Sequence, residues 1–234
     1  GLAPDFLICR GEKPPDATRI RKLALAAALE PKDIFSAPDT NPVYRIPLLL
    51  EEQGFLSRLL KKTGLSNRRA KLANWRQLIE KIDRAKRKVP IVIAGKYYTS
   101  GNFSLEDAYV SVVESVKIAA WHQGIKPEII WVDTEAVEKE GPEKFLKEGA
   151  GVIVPGGFGQ RGVEGKIEVI RWARETKTPF LGLCYGMQLA TVEFARHVVG
   201  LKKAHTTEVD PQTPDPVIDL MPDQEKRLLA QEYG

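Results

Sequence analysis

Apolar residues along the chain fall into short runs and helical spacings that alternate, and the pattern changes character near residue 89. At the front, PDFLICR (4–10) is a short apolar run that predicts a buried strand, and DATRIRKLALAAAL (16–29) repeats apolar residues at helical spacing. DIFSAPD (33–39) predicts a second short strand ending at a turn. PVYRIPLLLEEQGFLSRLLKKTGL (42–65) predicts two short helices broken at Gly54. Residues 1–64 therefore read as the closing part of an α/β domain. Residues 65–88 are polar and rich in Lys and Arg, with Trp75, Leu78, Ile79 and Ile82 on one face of a helix.

From Val89 strands and helices alternate. VPIVIAG (89–95), KPEIIWVD (126–133), GAGVIVPGGFG (149–159) and TPFLGL (178–183) predict strands. SLEDAYVSVVESVKIAAWHQG (104–124), GVEGKIEVIRWARETK (162–177) and MQLATVEFARHVVG (187–200) predict helices, the first with an acidic start and a glycine stop. The expected fold class is α/β, a mostly parallel sheet with helices on both faces, over residues 89–234. Ligands of such sheets sit beyond the carboxyl ends of the strands.

Composition narrows the setting. The chain has 234 residues, 43% hydrophobic and 28% charged, as in ordinary globular proteins. Its longest apolar run is far short of the eighteen or so residues of a membrane span, so no membrane partner is expected. Two cysteines, Cys9 and Cys184, make no disulfide framework and suit a reducing, cytoplasmic setting. A formal charge of +4 permits anionic partners such as nucleotides without demanding nucleic acid. The basic stretch 65–88 reads either as a nucleic-acid helix or as a solvated linker helix docked on a neighbouring domain. The second is favoured, because only Trp75 supplies an aromatic group. The first residue is not methionine and the last segment, LLAQEYG, has a helical look, which together suggest a piece of a longer protein.

The candidate chemistry lies in LGLCYGMQ (181–188). Cys184 stands where a strand turns sharply into a helix, in the pattern Gly-x-Cys-x-Gly formed by Gly182 and Gly186. That is the spacing of a nucleophile elbow with cysteine in place of serine. The glycines leave room for the tight turn, and the helix amino terminus behind the thiol favours the thiolate. A buried structural cysteine is the commoner fate of this residue type; the paired glycines tip the reading to a nucleophile. Attack on a carbonyl needs amide donors for the developing oxyanion. One is expected from Tyr185 and another from Gly156-Gly157, where the strand ending at Pro155 exposes its backbone.

PGGFGQRGVEGK (155–166) followed by PFLGLCYGMQ (179–188) resembles the class I glutamine amidotransferases. HTTEVDPQTPDPVIDLM (205–221), GLAPDFLICRGEKP (1–14) and SAPDTNPVYRIPLLLEEQG (36–54) extend the resemblance to the CTP synthase family over essentially the whole chain. It implies division into residues 1–64, the carboxyl-terminal part of an amidoligase domain, a linker helix at 65–88, and 89–234, the amino-terminal part of a glutamine amidotransferase domain. It implies that Cys184 attacks the side-chain amide of glutamine, that Gly157 and Tyr185 donate the oxyanion amides, and that Gln188 and Glu208 hold the substrate. The family usually carries leucine after the cysteine, so Tyr185 is a departure. Lys22 matches a lysine that contacts the UTP triphosphate, a point charge suited to phosphate. Arg10 and Asp39 fall in segments bordering the ATP site, and Lys96 matches a lysine near the domain junction. Without the resemblance, Glu208 reads as a surface carboxylate and Lys22 as a solvated helix lysine. The implied activity is ATP-dependent conversion of UTP to CTP with ammonia from glutamine, with Mg²⁺ as cofactor, GTP as activator and a homotetrameric assembly.

A cysteine hydrolase needs a histidine base held by a carboxylate. The chain has three histidines. His197 lies thirteen residues past Cys184 on one helix, roughly 20 Å away at 1.5 Å per residue. His122 closes an earlier helix, and His205 sits in a loop to which the resemblance gives no catalytic role. The His-Pro-Glu segment of the family has no counterpart here, so this stretch alone is expected to be inactive. Two further readings stay open: another class I amidotransferase, which leaves residues 1–64 without a place, and a non-catalytic relative that kept the fold.

Overall fold

The computed structural model describes residues 3–66, 68–95, 99–100, 103–104, 106–221 and 224. Lys96 lies outside the described residues. Two compact units make up the chain, Gly1–Arg84 and Ala85–Gly234.

In the first unit, β1 (Leu7–Gly11) is followed by α1 (Ala17–Ala27) and β2 (Ile34–Pro38). The strands pair in parallel from Leu7 opposite Ile34 to Gly11 opposite Pro38, with α1 in the crossover, as parallel pairing requires. Asp16 caps α1 by accepting the Arg19 amide at 2.8 Å, and the helix stops at Ala28 in the left-handed region. α2 (Ile46–Glu52) and α3 (Phe55–Lys62) break at Gly54, whose φ of 78° ends one helix and starts the next. The rings of Phe6, Phe35 and Phe55 meet edge to face at 5.0–5.8 Å between centroids. Asp33, buried, accepts two bonds from Arg58 at 2.9 and 2.7 Å. α4 (Ala73–Arg84) buries Ile79, and its Trp75 indole donates to the Tyr44 carbonyl at 2.6 Å. The helix of the basic stretch thus packs within this first unit.

The second unit runs β3 (Arg87–Gly95), a hairpin of β4 (Thr99–Ser100) and β5 (Phe103–Ser104), α5 (Val110–His122), β6 (Ile125–Asp133), α6 (Thr134–Glu140) and α7 (Glu143–Leu146). It continues with β7 (Gly151–Val154), α8 (Val163–Thr176), β8 (Phe180–Gly182), α9 (Tyr185–Phe194), β9 (His205–Thr206) and β10 (Pro216–Ile218). A four-stranded parallel sheet has the order β6-β3-β7-β8. The central strands β3 and β7 are apolar and buried along Val92–Gly95 and Gly151–Val154, whereas the edge strands β6 and β8 keep exposed positions.

One face carries the core. Val92, Val152 and Val154 pack with Ile167 and Ile170 of α8 and Leu189 of α9. Each such side chain contributes about 1.5–3 kcal/mol when fully buried. The other face looks toward α5 across an open apolar cleft of about 730 Å³ lined by Ile91, Ile153, Leu181, Val112 and Val116. The alternation of β-strand side chains explains the split: odd-numbered residues of β3 face α5 and even-numbered ones face the core. The predicted α/β class, a parallel sheet with helices on both faces, is the observed one. The 104–124 helix begins later than its acidic start suggests, at Val110, after a short 3₁₀ turn over Glu106–Tyr109.

Candidate active site

All four sheet strands end on the same side, and the sharpest turn there lies between β8 and α9. Leu183 leaves β8 by donating its amide to the Val154 carbonyl at 2.9 Å. Cys184 follows with φ 51° and ψ −109°, a sparsely populated conformation for a residue with a side chain. Holding it costs on the order of 1–3 kcal/mol, which the surrounding packing must offset. Two glycines permit that packing. A β-carbon on Gly182 would come within 2.8 Å of the Gly186 carbonyl group, and one on Gly186 within 2.0 Å of the Val154 oxygen. The turn leaves Cys184 exposed at the amino terminus of α9.

The loop after β7 lies against this turn. A β-carbon on Gly156 would sit 3.5 Å from the Cys184 β-carbon and 4.0 Å from Sγ. Gly157 is the next residue of that loop. Tyr185 is the first residue of α9, and the first amides of a helix have no acceptor within it. Gln188 lies one turn further on, with its amide bonded to the Cys184 carbonyl at 3.1 Å. Glu208, an exposed residue, reaches the same loop: its Oε1 accepts the Gly159 amide at 3.0 Å. The Gln160 side chain donates to the Val209 carbonyl at 2.9 Å, and the Tyr185 hydroxyl donates to the Gly159 carbonyl at 3.3 Å. Cys184, Tyr185, the glycine loop and Glu208 therefore form one connected constellation. Gly159, Gln160 and Lys166 belong to it and were not singled out from sequence. The lysine falls at an apolar position of α8, a spacing that could have signalled its burial.

Burial, with the Glu208 charge as a second cause, pushes the Tyr185 phenol up to about 12. Its proton stays on the oxygen at any physiological pH, so the hydroxyl remains a donor.

Among the described residues no hydrogen bond joins Cys184 to a histidine. His205 accepts the Thr206 amide on Nδ1 at 2.9 Å, and its Nε2 lies 3.6 Å from Glu164. Burial first, and then the Arg196 charge, lower its pKa against the pull of Glu164, so the neutral ring with its proton on Nε2 is favoured. His197 Nδ1 is 3.2 Å from the Glu193 carbonyl and 3.3 Å from its carboxylate. His122 ends α5, across the sheet from α8 and α9.

In the first unit, Arg10 and Asp39 form an exposed ion pair at 3.1 Å beside the carboxyl ends of β1 and β2, and Lys22 is exposed on α1. Among the described residues no group of three or more His, Cys, Asp or Glu could hold a metal ion. No described helix is long and apolar enough to cross a membrane.

The model of the family "Glutamine amidotransferase class-I" matches residues 104–225, and that of "CTP synthase N-terminus" matches residues 1–65. The chain belongs to the class I glutamine amidotransferase family. The matched part of the chain contains Cys184, the glycine loop and Glu208. Along nearly its whole length the chain is also similar to CTP synthases. That of Sulfurisphaera tokodaii is 46% identical over 228 residues, covering 97% of this chain and 42% of that protein. That of Pelotomaculum thermopropionicum is 44% identical over 234 residues, covering 100% and 42%. The chain thus spans about two fifths of the length of the curated relatives it matches. Among solved structures, the glutaminase domain of Trypanosoma brucei CTPS with bound acivicin is 32% identical with a TM-score of 0.52, covering 58% of this chain and 51% of that one.

Proposed function

We propose that this chain is a segment of a CTP synthase, and that Cys184 is the nucleophile of its glutaminase half. The observation that carries the reading is the strained Cys184 turn beside the Gly156-Gly157 loop, in a chain whose first 65 residues match the CTP synthase amino-terminal model. The Cys184 thiolate adds to the side-chain carbonyl carbon of glutamine. The Gly157 and Tyr185 amides stabilise the oxyanion, and Gln188 and Glu208 hold the substrate. The carbon–nitrogen bond breaks as the nitrogen gains a proton and leaves as ammonia, and water then hydrolyses the γ-glutamyl thioester. The proton carrier is a histidine from residues of the full-length enzyme outside this chain. The described segment by itself is therefore inactive toward glutamine.

In the full-length enzyme, ATP phosphorylates the 4-oxygen of UTP and ammonia displaces the phosphate to give CTP. Lys22 holds the UTP triphosphate, and Arg10 and Asp39 border the ATP site. Mg²⁺ accompanies the ATP, with ligands from elsewhere in the protein. GTP activates the glutaminase step, the enzyme works as a cytoplasmic homotetramer, and neither nucleic acid nor a membrane is a partner.

The test is Cys184→Ala in the full-length enzyme, with CTP formation measured from glutamine and from added ammonia. Glutamine-dependent synthesis is expected to disappear and ammonia-dependent synthesis to persist. Equal loss of both would make Cys184 structural, and no loss of either would make this elbow that of a non-catalytic relative.

A further inference from the structure

Tyr185 brings a side chain as well as a backbone amide to the elbow. The side chain is 2% exposed, and its ring stacks over the ammonium of Lys166, itself 0% exposed, with Nζ 5.2 Å from the ring centroid. A buried ammonium on the face of an aromatic ring is attracted by the ring quadrupole, and the attraction is strongest where water is excluded. Lys166 belongs to α8, the helix that begins where the glycine loop ends. The ring is thereby braced from the core side.

The braced ring places its hydroxyl 3.3 Å from the Gly159 carbonyl. Gly159, with a φ of 74°, is held again on its amide side by Glu208 at 3.0 Å. One loop residue is gripped at both its backbone polar groups, from the core by Tyr185 and from the β9–β10 segment by Glu208. Three residues earlier the same loop passes Cys184 at Gly156, where an added β-carbon would lie 3.5 Å from the Cys184 β-carbon. A glycine-rich loop has much backbone freedom to lose, and a donor amide on it is useful only when its direction is fixed.

We propose that Tyr185 and Lys166 are positioning residues for glutamine hydrolysis: the Tyr185 ring, braced on the Lys166 ammonium, holds Gly159 and with it the Gly156-Gly157 amides against Cys184. The role rests on reading Cys184 as the glutaminase nucleophile. It differs from the backbone oxyanion role of Tyr185, which any residue at 185 other than proline supplies.

The experiment compares Tyr185→Phe, Tyr185→Leu and Lys166→Met with the parent in the full-length enzyme. Tyr185→Phe keeps the ring over Lys166 and deletes only the hydroxyl, so it remains decisive if the other two fail to fold. Its kcat for glutamine is expected to fall roughly tenfold with KM changed less than about threefold, the loss being one bond that orients a transition-state donor. Alkylation of Cys184 by iodoacetamide, which needs no oxyanion donor, should stay within about twofold of the parent. Hydrogen exchange of the peptide covering residues 155–162 should speed up about fivefold, the factor for one lost hydrogen bond. Tyr185→Leu and, where it folds, Lys166→Met should lower kcat further and speed the exchange further.

A Tyr185→Phe enzyme with parental kcat, or with parental exchange at 155–162, would overturn the proposal. So would a fall in alkylation matching the fall in kcat, because the hydroxyl would then support the nucleophile itself. A parent that hydrolyses no glutamine would instead remove the glutaminase reading, and with it the catalytic role, while the exchange measurement would still decide whether Tyr185 holds the loop.

Discussion

Gly186 packs against the Val154 carbonyl so closely that a β-carbon there would stand 2.0 Å from the oxygen. The same oxygen accepts the Leu183 amide at 2.9 Å, the bond that leads from β8 into the Cys184 turn. Relief of a clash would therefore break the contact that shapes the turn. Gly186→Ala should destabilise the chain by about 3 kcal/mol, the upper range for overpacking, or prevent folding. Gly200→Ala is the control. Gly200 has a φ of 91° but nothing within 4 Å of its would-be β-carbon, so only backbone strain applies, about 1–2 kcal/mol. Urea unfolding of both variants checks this, and equal losses would mean that the close approach at Gly186 relaxes at little cost.

Asp33 ties its carboxylate to Arg58 and Lys62 in the first unit. Burial opposes its ionisation, but the hydrogen bonds and charges of Arg58 and Lys62 outweigh burial and hold the carboxyl below its ordinary value. An acid depressed in the folded state binds protons more readily when unfolded. Its stabilisation is then complete above the unfolded pKa of about 3.9 and is lost as pH falls through the folded value. Asp33→Asn should lower stability at pH 7 by about 1–3 kcal/mol, the scale of hydrogen bonds to a charged group. Its deficit against the parent should shrink as pH falls below about 4, where the parent loses the same charge. Hydrogen exchange of the β1 and β2 peptides at stepped pH measures it. A constant deficit across that range would assign the loss to packing.

Apolar runs made the sheet legible: Val89–Gly95 and the Ile129–Val132 stretch of Lys126–Asp133 fall within β3 and β6. The turn at Cys184 was equally plain, since two glycines at fixed offsets encode a local steric requirement. α6 was not visible. TEAVEKE is mostly polar and buries only Thr134 and Val137, so its apolar spacing is too sparse to read. β9 and β10, two and three residues long, are too short for any periodicity. The sequence reads 65–88 as a linker helix docked on a neighbouring domain, but the Trp75 bond to Tyr44 depends on tertiary placement that a helical face cannot specify. Lys166 escaped notice because charge is ordinarily a sign of exposure, and here the side chain lies under a tyrosine ring.

Glu208 carries two assignments that a single substitution can separate. The resemblance has Glu208 hold the glutamine substrate, whose ammonium group suits a carboxylate, and the structure gives Oε1 to the Gly159 amide at 3.0 Å. Both fit if one oxygen pins the loop and the other faces substrate. Glu208→Gln retains a neutral acceptor for Gly159 and removes the charge. In the full-length enzyme it should raise KM for glutamine about 10- to 100-fold, the value of a hydrogen bond to a charged partner, with kcat held within about threefold. Glu208→Ala also deletes the loop contact, so its kcat should fall as well as its affinity. Ammonia-dependent CTP synthesis should be unaffected by either, since ammonia bypasses the glutamine site. If Glu208→Gln leaves KM at the parental value, the carboxylate serves the loop alone and the substrate ammonium is held elsewhere. If kcat falls equally in both variants while KM stays fixed, the negative charge itself is what keeps Gly159 in place, because an amide oxygen would then be too weak an acceptor to do so.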